Sequence, residues 1–242
     1  MILGVIPARF ASTRFPGKPL ALINGISMIQ RVYLQSLQAK MIQKLVVATD
    51  DERILEHVLG FGGQAMLTRS DHLSGTDRCA EVAQLFPDAE VILNIQGDEP
   101  FIQPEQIDLL ANTLLQSTGF GIATLAKSIH QASALLNPNI VKVVFSQKNA
   151  AIYFSRHPIP YCRGQQPENW LDHTPYFKHI GLYAFRREAL MEIAGLLPSP
   201  LEQAESLEQL RWLDHGIQIA VGVTTLETTG IDTPEDLASL GY

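Results

Sequence analysis

Residues 2–20 read ILGVIPARFASTRFPGKPL. The opening ILGVI is an apolar run of strand length. The loop behind it carries three cations (Arg9, Arg14, Lys18), two hydroxyls (Ser12, Thr13) and Gly17. In a doubly wound α/β sheet, ligands bind beyond the carboxyl ends of the strands. A long cationic loop in that place can cradle a triphosphate with its backbone N–H groups and fixed charges. The plainer alternative is a solvated basic loop. It is not a GxxxxGK[ST] loop, since Pro19 follows Lys18, and it is not GxGxxG.

Working outward, the chain alternates strand and helix patterns. Strands are expected at 2–6, 45–49, 65–67 and 90–95. Helices are expected from a cap at Ser27 to about residue 39, from a cap at Asp50 over 51–59, over 75–86, and over 104–115 with Pro104 in its first turn. Strands apolar on both faces between helices predict a mainly parallel, doubly wound sheet. After about residue 119 the long helices stop. Strand patterns at 121–126, 141–145, 151–155 and 180–185 follow one another, which predicts an antiparallel lobe within about 120–190 of a single 1–242 domain. Helices at 202–213 and 234–240, with a strand at 217–223 between them, complete the pattern.

Composition narrows the function. The 242 residues are 46% hydrophobic and 18% charged, with a net charge of −7. A chain of this length and hydrophobicity buries a full core and is not disordered. The acidic balance argues against nucleic acid or a membrane surface as partner. Two cysteines, Cys79 and Cys162, cannot build a disulfide framework. The apolar start is too short to span a bilayer and lacks a signal peptide's basic flank, so a cytoplasmic chain is expected. Two stretches lack acids altogether: 1–49, with a local charge of +6, and 109–167, with Lys127, Lys142, Lys148, Arg156 and Arg163. Such zones on an acidic protein suit small anions, or are chance clusters of solvated charge.

Three further segments sit where strands should end. In Asn94-Ile95-Gln96-Gly97-Asp98-Glu99-Pro100 the carboxylates can hold Mg²⁺, or can be turn acids in solvent. In Gly230–Leu237, Asp232 is either a second metal carboxylate or, with Thr233, a cap for the helix at Pro234. In Thr68–Arg78, Ser74 and Thr76 either cap a helix or present its free N–H groups to an anion.

Seven segments in order, PARFASTRFPGKPL, TRSDHLSGTDR, NIQGDEP, YFSRHPIP, KHIGLYAFR, SLEQLRWL and IDTPEDL, resemble the cytidylyltransferases that activate acidic sugars. Within them the chain is similar to the branch acting on 3-deoxy-manno-octulosonate (Kdo), over nearly its whole length. The resemblance implies a nucleotide-diphospho-sugar transferase-like fold, usually a homodimer, making CMP-Kdo for lipopolysaccharide from CTP and Kdo with Mg²⁺. It places Arg9, Arg14 and Lys18 on the triphosphate, and Ala8, Arg69, Ser74 and Gln96 around the nucleoside. Asp98 and Asp232 fall on the metal. Gln96, Arg156, His179, Tyr183, Glu208 and Gln209 fall in the sugar-acid pocket. Lys18, Arg14 and Asp98 are the implied catalytic set. Residues 162–174 match no motif of this kind.

Three other readings share parts of this pattern. A sialic-acid cytidylyltransferase has the same first loop, but KHIGLYAFR and SLEQLRWL favour Kdo. A glycosyltransferase usually shows a DxD pair where this chain has Gln96-Gly97-Asp98. A non-catalytic nucleotide-binding subunit has no need of Asp98 and Asp232 beside Lys18.

Overall fold

The computed structural model describes residues 1–11, 15–228, 230–231 and 233–239. Its strands are β1 (Ile2–Ala8), β2 (Leu22–Ile23), β3 (Ile26–Ser27), β4 (Lys44–Thr49), β5 (Ala65–Leu67), β6 (Val91–Asn94), β7 (Ile122–Ile129), β8 (Lys142–Phe145), β9 (Ala151–Ser155), β10 (Tyr176–Arg186) and β11 (Ile219–Thr224). The helices are α1 (Met28–Ser36), α2 (Glu52–Gly60), α3 (Gly75–Gln84), α4 (Pro104–Gln116), α5 (Ala132–Leu136), α6 (Arg187–Ile193), α7 (Pro200–Glu205), α8 (Gln209–Asp214) and α9 (Pro234–Ser239).

The main sheet runs β11-β7-β10-β6-β1-β4-β5. The β5-β4-β1-β6 half is parallel, as the apolar strands and intervening helices predict. Alternate residues of each strand face opposite cores. Leu3, Val5, Val46, Ala48 and Ile92 pack with α3, α6 and α8 on one side. Ile6, Leu45, Val47 and Leu93 pack with α1, α2 and α4 on the other. The fold is thus doubly wound.

The second half differs from a simple side lobe. β10 enters the main sheet antiparallel between β6 and β7, and β11 lies parallel to β7 at the edge. In this half β8 and β9 branch off that order as an antiparallel ribbon that meets β10 at Lys178↔Lys142. The ribbon, α5 and the 3-10 turn Pro167–Asp172 make the smaller antiparallel lobe, with Trp170 buried beneath it.

Two local expectations are corrected. Asp51, not Asp50, caps α2 by accepting from Arg53 N at 3.0 Å, because Asp50 is turned inward to Arg78. The single helix expected over 202–213 is broken into α7 and α8 at Ser206, which adopts φ 52°. No helix among the described residues is long and apolar enough to cross a membrane.

Candidate active site

The carboxyl ends of β1 and β6 lie side by side, and the chemistry collects above them. The loop after β1 closes on itself where Gly17 N donates to Phe10 O at 3.0 Å, with Gly17 at φ 70°. That left-handed turn starts the short 3-10 turn Lys18–Leu20 and directs Lys18 back over the sheet. Lys18 Nζ donates to Asp98 Oδ2 at 2.7 Å and to Ile231 O at 3.1 Å. Ile231 N in turn donates to Asp98 O at 2.9 Å. The segment 230–231 therefore crosses the tip of the NIQGDEP loop. Ile231 is held there by its burial against Ile23 and Met28.

Gly97 makes the approach of these loops possible. A Cβ at this position would stand 2.8 Å from Pro7 O, a backbone atom of β1.

Thr68–Arg78 is secured from below. Ser74 and Asp77 form a capping box at α3, with Asp77 N to Ser74 Oγ at 3.1 Å and Ser74 N to Asp77 Oδ2 at 3.0 Å. Glu81 accepts from Arg69 N at 3.1 Å and contacts His72. Arg78, 1% exposed, reaches Asp50 at 3.0 Å and also meets Thr68 Oγ1. The Arg69 guanidinium pairs with Asp71 at the surface.

The next group lines β10. Its pairing register with β7 shifts between Ile180 and Tyr183. The shift leaves Gly181 O to accept from Gln96 Nε2 at 3.0 Å and brings the His179 and Tyr183 rings to 5.5 Å. His179 Nε2 lies 2.9 Å from Thr124 Oγ1, while that hydroxyl donates to Leu182 O at 2.8 Å. The Thr124 proton is thus engaged, so Nε2 carries the imidazole proton and Nδ1 is left as an acceptor. Burial pulls the His179 pKa down from 6.5 to about 3, so the ring is neutral. Burial also holds the Tyr183 hydroxyl well above its usual range, so it stays a donor. Tyr183 packs edge-on to Trp212 of α8, whose first turn follows Glu208 and holds Gln209. Glu208 Oε2 accepts from Thr76 Oγ1 at 3.0 Å. Desolvation raises the Glu208 pKa, and hydrogen bonds from Ser74 and Thr76 oppose the rise.

The structure therefore brings Lys18 to Asp98, Gln96 to β10, His179 to Tyr183, and Ser74 with Thr76 to Glu208. Ala8 is buried at the end of β1 and Arg9 is exposed just beyond it. Arg14 and Asp232 lie outside the described residues. Arg156 stands apart from the others. Its guanidinium donates to Glu205 O at 2.7 Å, Pro138 O at 3.2 Å and Ser206 O at 3.3 Å, beside a cavity of about 480 Å³. No hydrogen bond joins it to Gln96, His179, Tyr183, Glu208 or Gln209.

Within the basic zone of 109–167, Lys148 and Arg163 are exposed, while Lys127, Lys142 and Arg156 are engaged. Lys142 is buried, with Nζ donating to Asn137 O at 2.9 Å and Ile140 O at 2.6 Å and also meeting Arg156 O, and its pKa falls to about 8 through desolvation. Lys127 and Lys178 share Glu227. Cys79 is buried with its thiol pKa raised by desolvation, which keeps it inert.

Sequence reasoning took Thr76 only as a helix cap or anion donor and did not single out Glu81, Thr124 or Glu227. Each acts through a partner distant in sequence, from 9 residues for Glu81 and His72 to 132 for Thr76 and Glu208. No local pattern announces such pairs. Thr233 Oγ1 accepts from Asp236 N at 3.2 Å and caps α9, which leaves the role of Asp232 open.

For Mg²⁺, the donor chemistry fits. Mg²⁺ takes one or two carboxylates and completes its shell with phosphate oxygens and water. Asp98 presents a carboxylate whose side chain is 34% exposed, with Oδ2 alone engaged among the described residues. No group of three His, Cys, Asp or Glu side chains gathers among the described residues.

Known proteins resemble this chain in sequence and fold. The family described as Cytidylyltransferase matches residues 3–219. The 3-deoxy-manno-octulosonate cytidylyltransferase of Cytophaga hutchinsonii is 54% identical over 98% of this chain and 94% of its own length. That of Parabacteroides distasonis is 53% identical over 97% and 94%. The solved structure of a CMP:2-keto-3-deoxy-manno-octonic acid synthetase complexed with CTP superimposes with a TM-score of 0.91 at 43% identity, covering 99% of this chain and 96% of that one. A putative glucose-1-phosphate thymidylyltransferase from Bacillus anthracis, at 15% identity and a TM-score of 0.67 over 99% and 93%, shares the fold.

Proposed function

The chain belongs to the 3-deoxy-manno-octulosonate cytidylyltransferase family, and from that membership we infer that it transfers CMP from CTP to Kdo, giving CMP-Kdo and pyrophosphate. The observation that carries the mechanism is the Lys18–Asp98 pair at 2.7 Å above the ends of β1 and β6. It sets a fixed cation beside a carboxylate at the expected triphosphate position.

The anomeric 2-hydroxyl of Kdo attacks the α-phosphorus and pyrophosphate leaves in line. Negative charge grows on the phosphoryl oxygens and the leaving group. Lys18, 14% exposed and aimed by Asp98 and Ile231 O, stabilises that charge without reorganising. Arg14 adds a second cation from the same loop. Arg9, Ala8, Arg69, Ser74 and Gln96 surround the nucleotide. Asp98 and Asp232 would hold Mg²⁺, which when bound neutralises phosphate charge and acidifies the attacking hydroxyl.

On the acceptor side, His179 Nδ1 accepts from a sugar hydroxyl and Tyr183 donates to one. Glu208 and Gln209 recognise others. Arg156, with one N–H of each guanidinium nitrogen on a backbone carbonyl, offers its positive charge to the sugar carboxylate. The enzyme acts as a homodimer in the cytoplasm.

The test is pyrophosphate release with CTP and Mg²⁺, comparing Kdo, N-acetylneuraminate and no acceptor. Release with Kdo alone is expected. Release with N-acetylneuraminate, or none despite CTP binding, overturns the assignment.

A further inference from the structure

We propose that Thr76 is a positioning residue for the sugar-acid acceptor: its hydroxyl holds Glu208 in the orientation the acceptor needs and ties the acceptor pocket to the helix that begins at the nucleotide loop. This rests on the proposed place of Glu208 in that pocket.

Ser74, not Thr76, caps α3, through its bond from Asp77 N at 3.1 Å. The Thr76 hydroxyl is therefore not needed to end the helix. It points across the molecule to Glu208 Oε2 at 3.0 Å, over a sequence separation of 132 residues. Thr76 is 1% exposed, so water cannot replace the bond if it is broken. An ionised carboxylate only accepts, so Thr76 is the donor, and Ser74 supplies a second hydroxyl to the same group.

Glu208 itself is placed by an unusual turn. The left-handed Ser206 reverses the chain between α7 and α8. Leu207 and Leu210 are buried in the core on either side of it, so the backbone is anchored and the side-chain torsions are left to set the carboxylate's rotation. Two hydroxyls on α3 fix that rotation. They also set the distance between the nucleotide loop at Arg69–Ser74 and the acceptor side chains Tyr183, Glu208 and Gln209. A hydroxyl that merely stabilised the fold would affect both substrates alike. One that orients Glu208 affects the acceptor.

The experiment is steady-state kinetics of Thr76→Val and Thr76→Ser, varying CTP and Kdo separately, in wild-type and Glu208→Gln backgrounds. The expected result is a KM for Kdo raised about 10-fold or more in Thr76→Val, the scale of one hydrogen bond to a charged group. The KM for CTP stays within about 2-fold, Thr76→Ser restores the wild-type value, and the Val substitution has little further effect beside Glu208→Gln. An unchanged KM for Kdo, a parallel rise for both substrates, or a full effect in the Glu208→Gln background overturns the proposal. If Thr76→Val does not fold, Thr76→Ala carries the same comparison. Wild-type enzyme that releases no pyrophosphate with Kdo overturns the acceptor assignment and this proposal with it. An active wild type with an indifferent Thr76 overturns this proposal alone.

Discussion

Lys18 Nζ stands 2.7 Å from Asp98 Oδ2, joining two loops 80 residues apart at the carboxyl end of the sheet. Each residue limits the freedom of the other. The carboxylate aims the ammonium, and the ammonium offsets the charge of an acid at the proposed triphosphate site.

Lys18→Ala is therefore expected to lower kcat by about 10²-fold, the scale of losing one preorganised electrostatic group. A variant with raised KM for CTP and unchanged kcat would show that Lys18 binds only the ground state. Asp98→Asn should lose most turnover and need more Mg²⁺ to reach half its maximal rate. Normal rates at limiting Mg²⁺ would remove Asp98 from the metal site.

Gly97→Ala tests how closely the two strand ends must approach. Its Cβ would fall 2.8 Å from Pro7 O, and a backbone atom cannot swing aside. The NIQGDEP loop must lift, carrying Asp98 away from Lys18. We expect about 1–3 kcal/mol of destabilisation and a loss of kcat larger than the loss of fold accounts for. Wild-type kinetics would show that the loop position is not critical.

The Arg78–Asp50 pair is a stability determinant beneath the nucleotide loop. Arg78 is 1% exposed and Asp50 15%, at 3.0 Å. Asp50→Ala leaves a buried guanidinium without its counter-charge and should cost about 3 kcal/mol, read as a lower urea midpoint. Asp50→Ala with Arg78→Met should recover part of that loss. A double variant no better than the single one would mean that packing, not charge, dominates there.

His179 makes stability depend on acid. Its pKa falls from 6.5 to about 3 through burial, so between those values the unfolded chain takes up a proton that the folded one refuses. The contribution is fully present above pH 6.5 and is lost as pH falls toward 3. The urea midpoint of wild type should drop more steeply over that window than the midpoint of His179→Gln. Equal slopes would show that the ring is solvated enough to protonate in place.

Much of this protein was legible in its sequence. The parallel half announces itself because each strand is a short apolar run and each helix has a local cap, as at Ser27 and Ser74. That Lys18 and Asp98 lie beyond strand ends was legible, because strand ends can be read locally; Gln96 entered only through the family resemblance, and all three roles are proposals. The β10 pattern was legible as a strand, but its insertion between β6 and β7 was not, since pairing partners are set by the whole sheet. Likewise the helix expected over 202–213 has good local periodicity, yet breaks at Ser206 so that Leu207 and Leu210 can both be buried.

The amino-acid sequence by itself determined the doubly wound half and the family, because these depend on short-range periodicity and on motifs in order. Only the tertiary structure decided which charges are free to act. The acid-free stretch 109–167 could be an anion site or a chance cluster of charge; folding brings Glu227 to Lys127 and turns Lys142 and Arg156 onto backbone carbonyls, while Lys148 and Arg163 stay exposed. It also joins Thr76 to Glu208. The physical reason is that a side chain's electrostatic role depends on distance and burial, and both are properties of the packed chain rather than of any segment within it.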